Sequence, residues 1–156
     1  MAAYSLGIFG VLFLCLLSIV LAVYSGSSKG RAGALSGPVL PPDDDNLLYR
    51  IDRIHLNMVE ALPPFVVPAL LAMMVGVRPV TLATLVWVYV AIRMTHVAVY
   101  LRGGKAAKGG SIRTVLYVSG ALVTIVLIAV TTAAAIHSGI NTGSPDDGDH
   151  FGFWPY

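Results

Sequence analysis

Long stretches without charge leave this chain few folds to choose from. From Tyr4 to Tyr24 there is no charged residue, and from Thr114 to Ile136 there is none either. Crossing a bilayer takes roughly 20 mostly apolar helical residues at about 1.5 Å each. Both runs satisfy that length. Two more do so while carrying polar groups: 47–77, apolar from Ala61 onward, and 80–101, which contains one arginine, Arg93. Only 12% of the 156 residues are charged, against about 25% in an ordinary soluble domain, and they cluster between the runs. A membrane β-barrel would instead show ten-residue alternation broken by many turns. The fold expected is all-α, an integral membrane four-helix bundle in up-and-down order. Its helices should lie at about 4–24, 47–77, 80–101 and 112–136 in a single membrane domain over 1–156, with a polar and aromatic tail at 137–156.

No Lys or Arg precedes the first run, and it is too long for the core of a secretory leader, so it reads as a spanning helix. The lone Cys15 inside it reads as packing. Residues 25–46 are rich in Gly, Ser and Pro and read as a flexible connector, with Asp43, Asp44 and Asp45 at the start of the next helix, where the macrodipole favours them. The aromatic tail, Phe151 to Tyr156, has the rings that favour a membrane–water interface.

Charge sets the expected orientation. Lys29, Arg31, Arg50 and Arg53 flank the first loop, and Arg102, Lys105, Lys108 and Arg113 flank the third; the other side has Arg78 and an acidic tail. The positive-inside rule puts loops one and three in the cytoplasm and both termini outside or in a lumen. The membrane is a bacterial inner membrane or an endoplasmic reticulum. No nucleic-acid partner is expected.

Polar groups at membrane depth are costly and point to a site or a buried pair. Arg50, Arg53, Asn57 and Glu60 follow one another at helical spacings of three, four and three, so they share a face. Arg93, His96 and Tyr100 do the same on the third helix, and Arg113 and Tyr117 on the fourth. All three stripes approach the cytoplasmic end. One reading is structural: Glu60 pairs with Arg93, and Asn57 bonds across the packing. The other is a site for a small anion bearing carboxylates and an amine, which several arginines beside one carboxylate would suit. His55 and His96 lack a ligand-set spacing, so no metal is expected.

The segment Arg50-Ile-Asp-Arg53-Ile-His55-Leu-Asn57-Met-Val-Glu60-Ala-Leu-Pro-Pro64-Phe65 resembles the signature of the MAPEG family, membrane-associated proteins of eicosanoid and glutathione metabolism. Arg93-Met-Thr-His96-Val-Ala-Val-Tyr100 and Arg113-Thr-Val-Leu-Tyr117 are similar to third- and fourth-helix motifs of its microsomal prostaglandin E synthase and glutathione transferase branch. The resemblance covers roughly Leu47 to Ala133. It implies a homotrimer with glutathione between protomers near the cytoplasmic face. Arg50, Arg53, Asn57, Glu60, Arg93, His96 and Tyr100 would hold glutathione, and Arg113, with Tyr117 beside it, would activate the thiol. Leu56 departs from the prostaglandin branch, where an arginine stands. The first helix supplies no basic residue within its apolar run, leaving Lys29 or Arg31 to complete the anion site. The activity implied is conjugation of glutathione to lipophilic electrophiles drawn from membrane lipid, with reduction of lipid hydroperoxides as a second activity. The alternative is a non-catalytic lipid-binding or scaffold protein of the same family.

Overall fold

The computed structural model describes residues 2–33, 43–102 and 110–142. After a single 3-10 turn at Ala2–Tyr4, four helices follow: α1 (Ser5–Arg31), α2 (Leu47–Met74), α3 (Pro79–Arg102) and α4 (Gly110–Thr142). All four contain stretches long and apolar enough to cross a membrane. No strand occurs among the described residues.

Contacts at the two ends fix the up-and-down order. At one end Ser25 of α1 meets Asp52 of α2, and Asn57 of α2 meets Tyr100 of α3. At the other, the Tyr4 hydroxyl donates to the Val77 carbonyl, and Ser138 of α4 donates to that of Val75. The tight turn between α2 and α3 has its own explanation. Gly76 adopts φ +79, and the Val77 N–H reaches back to the Ala72 carbonyl at 2.9 Å, a glycine-stopped helix end.

The bundle is apolar on both sides of its wall. Leu14, Phe65, Ala69, Ala72, Leu82, Val86, Tyr89 and Leu127 are completely buried, while Leu6, Phe9, Leu16, Val23, Val115, Leu122 and Ile125 face outward. A surface of that kind suits lipid, whose tails are as apolar as the side chains. Close approach of α1 to α3 depends on Gly10, where an added Cβ would run into the Val86 side chain. Inside α2, Pro63, Pro64 and Pro68 each remove a backbone donor. A hydroxyl from the neighbouring helix meets a carbonyl just before that stretch: Tyr89 donates to Ala61 at 2.9 Å. Tyr89 also stacks on Phe65 with ring centroids 3.7 Å apart, joining α2 to α3.

Three expectations need correction. Helix α1 continues to Arg31, so Ser25 to Arg31 is helix and not connector. The cause is tertiary: Asp52, almost fully buried on α2, accepts from Ser25 at 3.2 Å and pairs with Lys29 at 2.5 Å. Next, the acidic residues 43–45 precede α2 and do not begin it. Asn46 is the cap, its side chain accepting from the Leu48 N–H at 2.9 Å. Finally, α4 extends to Thr142, beyond the expected limit of 136. The reading of the aromatic tail at 151–156, and the third-loop lysines Lys105 and Lys108, fall outside the described residues.

Candidate functional site

Helical periodicity on three elements builds one cleft. From α2 come Arg53, Asn57 and Glu60; from α3, His96 and Tyr100; from α4, Arg113, Thr114 and Tyr117. They line an open hollow of about 320 Å³ at the end of the bundle where α2 and α4 begin. Each set occupies a single helical face, because residues three or four apart stack along an α-helix.

Tyr100 organises the centre. Asn57 Nδ2 donates to its hydroxyl at 3.4 Å. The His96 ring lies tilted against its ring at 4.8 Å, and the guanidinium carbon of Arg113 sits 4.3 Å from its centroid. A cation over an aromatic face gains about 0.5–2 kcal/mol, more where water is excluded. Arg113 also donates from Nη1 to the Asp44 carboxylate at 2.7 Å. Its Nε and Nη2 are buried and have no hydrogen-bond partner among the described residues.

A second hollow of about 210 Å³ adjoins the first, sharing Glu60 and Tyr117 with it. Its remaining walls are Ala61, Pro64, Arg93, Ala121, Thr124 and Ile125, and they are mostly apolar. Arg93 thus borders this deeper hollow and not the polar cleft. It is buried, with its guanidinium carbon 4.8 Å from the Tyr89 centroid. Gly120 makes room for it, since a Cβ there would stand 3.3 Å from Arg93 Nη2.

The remaining sequence candidates are used differently. Arg50 lies outside both hollows: its Nη1 donates to the carbonyls of Asp44 at 2.8 Å and Asp45 at 3.1 Å, tying down the turn before α2. Lys29 is committed to Asp52. Arg31 borders a separate groove between α1 and α2, beside Tyr24, Leu48 and Ile51. Glu60 and Arg93 form no ion pair with each other, whereas Lys29 pairs with Asp52 and Arg113 with Asp44. Glu60 is instead exposed on the single protomer. No group of three or more His, Cys, Asp or Glu residues able to hold a metal occurs among the described residues.

Sequence reasoning missed Asp44, Asp52, Thr114 and Gly120. Thr114 could have been found as the neighbour of Arg113 facing the same cleft. Asp44 could not, because it precedes any helix and no periodicity connects it to Arg113, 69 residues away.

The model of the MAPEG family matches residues 1–133 of the chain. No curated protein and no solved structure matches it.

Proposed function

The chain belongs to the MAPEG family, an integral multi-pass membrane protein, and from that premise we propose a membrane-bound glutathione transferase acting on lipophilic electrophiles. The observation that carries this reading is the pair of adjoining hollows. A polar cleft rich in arginine shares Glu60 and Tyr117 with an apolar one. A charged thiol and a greasy electrophile could lie side by side there.

Glutathione brings two carboxylates, an ammonium and a thiol. Arg53 would bind a carboxylate, Glu60 the ammonium, and Asn57 and Tyr100 would supply hydrogen bonds. His96 would pack against Tyr100, and Arg93 would add positive charge from below. A free thiol titrates near 8.5, and only the thiolate is a good nucleophile. Arg113 would hold that thiolate. An arginine stays protonated, so its part is electrostatic, and the thiol proton goes to solvent. The sulfur then attacks the electrophile, forming a C–S bond as the leaving group departs or an activated double bond takes up a proton. The same thiolate would also attack the terminal oxygen of a lipid hydroperoxide, breaking the O–O bond to release the alcohol and leaving a glutathione sulfenic acid that a second glutathione converts to the disulfide and water.

Homotrimeric assembly completes the reading. Glu60 lies about 20 Å along α2 from its start, at 1.5 Å per residue, yet is exposed on one protomer. Tyr117 is 50% exposed beside it. An acidic side chain facing lipid at the bilayer centre costs about 3 kcal/mol, so a neighbouring copy covering this face relieves it. Lys29, Arg31, Arg50, Arg53, Arg102 and Arg113 gather at the same end, which we assign to the cytoplasm.

Millimolar glutathione should raise the melting temperature of the detergent-purified protein, because a ligand of the native state stabilises it by about 2.7 kcal/mol at a hundred times its Kd. An unchanged melting temperature would instead favour the non-catalytic lipid-binding reading.

A further inference from the structure

We propose that Asp44 is a latch on Arg113: its carboxylate occupies the guanidinium in the resting site, and a sulfur anion must displace it. The inference rests on the reading of Arg113 as the partner of the thiolate.

The geometry of Arg113 leads to it. Of the three guanidinium nitrogens, Nε and Nη2 are closed off from solvent and make no hydrogen bond among the described residues, while Nη1 is held by Asp44 at 2.7 Å. Arg113 has 13% of its side chain exposed, Asp44 has 42%. Tyr100 covers one face of the guanidinium. An arriving anion therefore meets the Asp44 carboxylate at Nη1, the guanidinium nitrogen that is not among the buried, unpartnered ones. The carboxylate is the part of this arrangement nearest to water, and it can rotate outward into solvent without any change in the bundle.

The backbone beneath it does not share that freedom. Arg50 clamps the carbonyls of Asp44 and Asp45. Asp43 Oδ1 accepts from the Asp45 N–H at 3.0 Å, and the Asn46 N–H bonds the Asp43 carbonyl at 3.1 Å. Asn46 then caps α2. These five hydrogen bonds fix the turn, so that release is a side-chain rotation of Asp44. Arg50 thereby acquires a task different from holding the ligand: it presents the latch.

Competition between two anions for one cation has a definite sign. While Asp44 holds Nη1, part of the positive charge that would lower the thiol pKa is already neutralised. Removing the carboxylate's charge should leave Arg113 more available to sulfur, and the bound thiol should ionise at lower pH. An added carboxylate near a guanidinium acts on a third group by the same Coulomb rule that shifts any pKa.

The test is a titration of the thiolate absorbance of bound glutathione against pH, on the full-length protein in detergent, for wild type, Asp44→Asn and Asp43→Asn. With Asp44→Asn the midpoint should fall by about half to one unit, and the glutathione Kd by roughly three- to tenfold. Asp43→Asn removes the same charge from the same turn while keeping an oxygen for the Asp45 N–H, and its midpoint should match wild type. An Asp44→Asn midpoint equal to or above wild type overturns the latch, with Arg113 still the thiolate's partner. Equal downward shifts in both variants also overturn it, since general charge would then be the cause. If wild type binds no glutathione, the underlying functional reading fails and the latch with it.

Discussion

Arg53 and Arg50 stand one helical turn apart on α2 and share a face by spacing, yet they end in different surroundings. Arg53 lines the open cleft, half-buried, among Asn57, Glu60 and Tyr117. Arg50 is turned back onto the carbonyls that precede the helix. Arg53→Ala should therefore weaken glutathione binding by about tenfold or more, the scale of one lost charge-assisted hydrogen bond, with a smaller change in turnover of the saturated enzyme. Calorimetric titration checks it, and unchanged affinity would remove Arg53 from the binding set. Much at this scale was legible beforehand. Spacings of three and four brought Arg53, Asn57 and Glu60 together, and likewise His96 and Tyr100. Spacing alone could not separate Arg50 from them, because which way a long side chain turns at a helix end depends on the loop that precedes it. The Glu60–Arg93 pair offered by the structural reading does not form; Arg93 stacks on Tyr89 instead.

At the scale of elements, the instructive case is the last turn and a half of α1. Gly26, Ser27, Ser28 and Gly30 have low helix propensity, so a sequence reading ends the helix before them. Tertiary contact overrides that preference. Ser25 and Lys29 lie four residues apart on one face and both engage Asp52. Asp52 looked unremarkable in sequence, one carboxylate between two arginines, and its role depends wholly on α1 arriving beside it. Asp52→Ala should lower stability by about 1–2 kcal/mol, discounted because Lys29 keeps 26% of its side chain exposed and can turn to water. A melting curve reads this directly; a variant as stable as wild type would show that the contact follows from α1 packing rather than supporting it. Spans themselves were easier to read. Long apolar runs, two of them free of charge, set their number and approximate bounds, since nothing in the lipid interior competes with the helix for backbone hydrogen bonds.

For the whole molecule, the outward face matters as much as the core. Most of it is apolar, in keeping with lipid. Among the exceptions, Glu60 and Tyr117 lie together where the polar cleft meets the apolar hollow. A single protomer leaves this region uncovered at membrane depth, which is why we place a second copy against it. An enzyme built this way would bring its water-soluble thiol in at the charged end of the bundle and its electrophile through the lipid. In the proposed function, fixed positive charge at Arg113 would be the point where those two routes meet. The most direct test is the pH titration of bound glutathione thiolate in wild type and in Arg113→Ala, followed by stopped-flow absorbance. The account predicts ionisation well below the free-thiol value of about 8.5 in wild type, and a return toward that value in Arg113→Ala, with turnover lost far more than affinity. Identical titrations in the two proteins would contradict it.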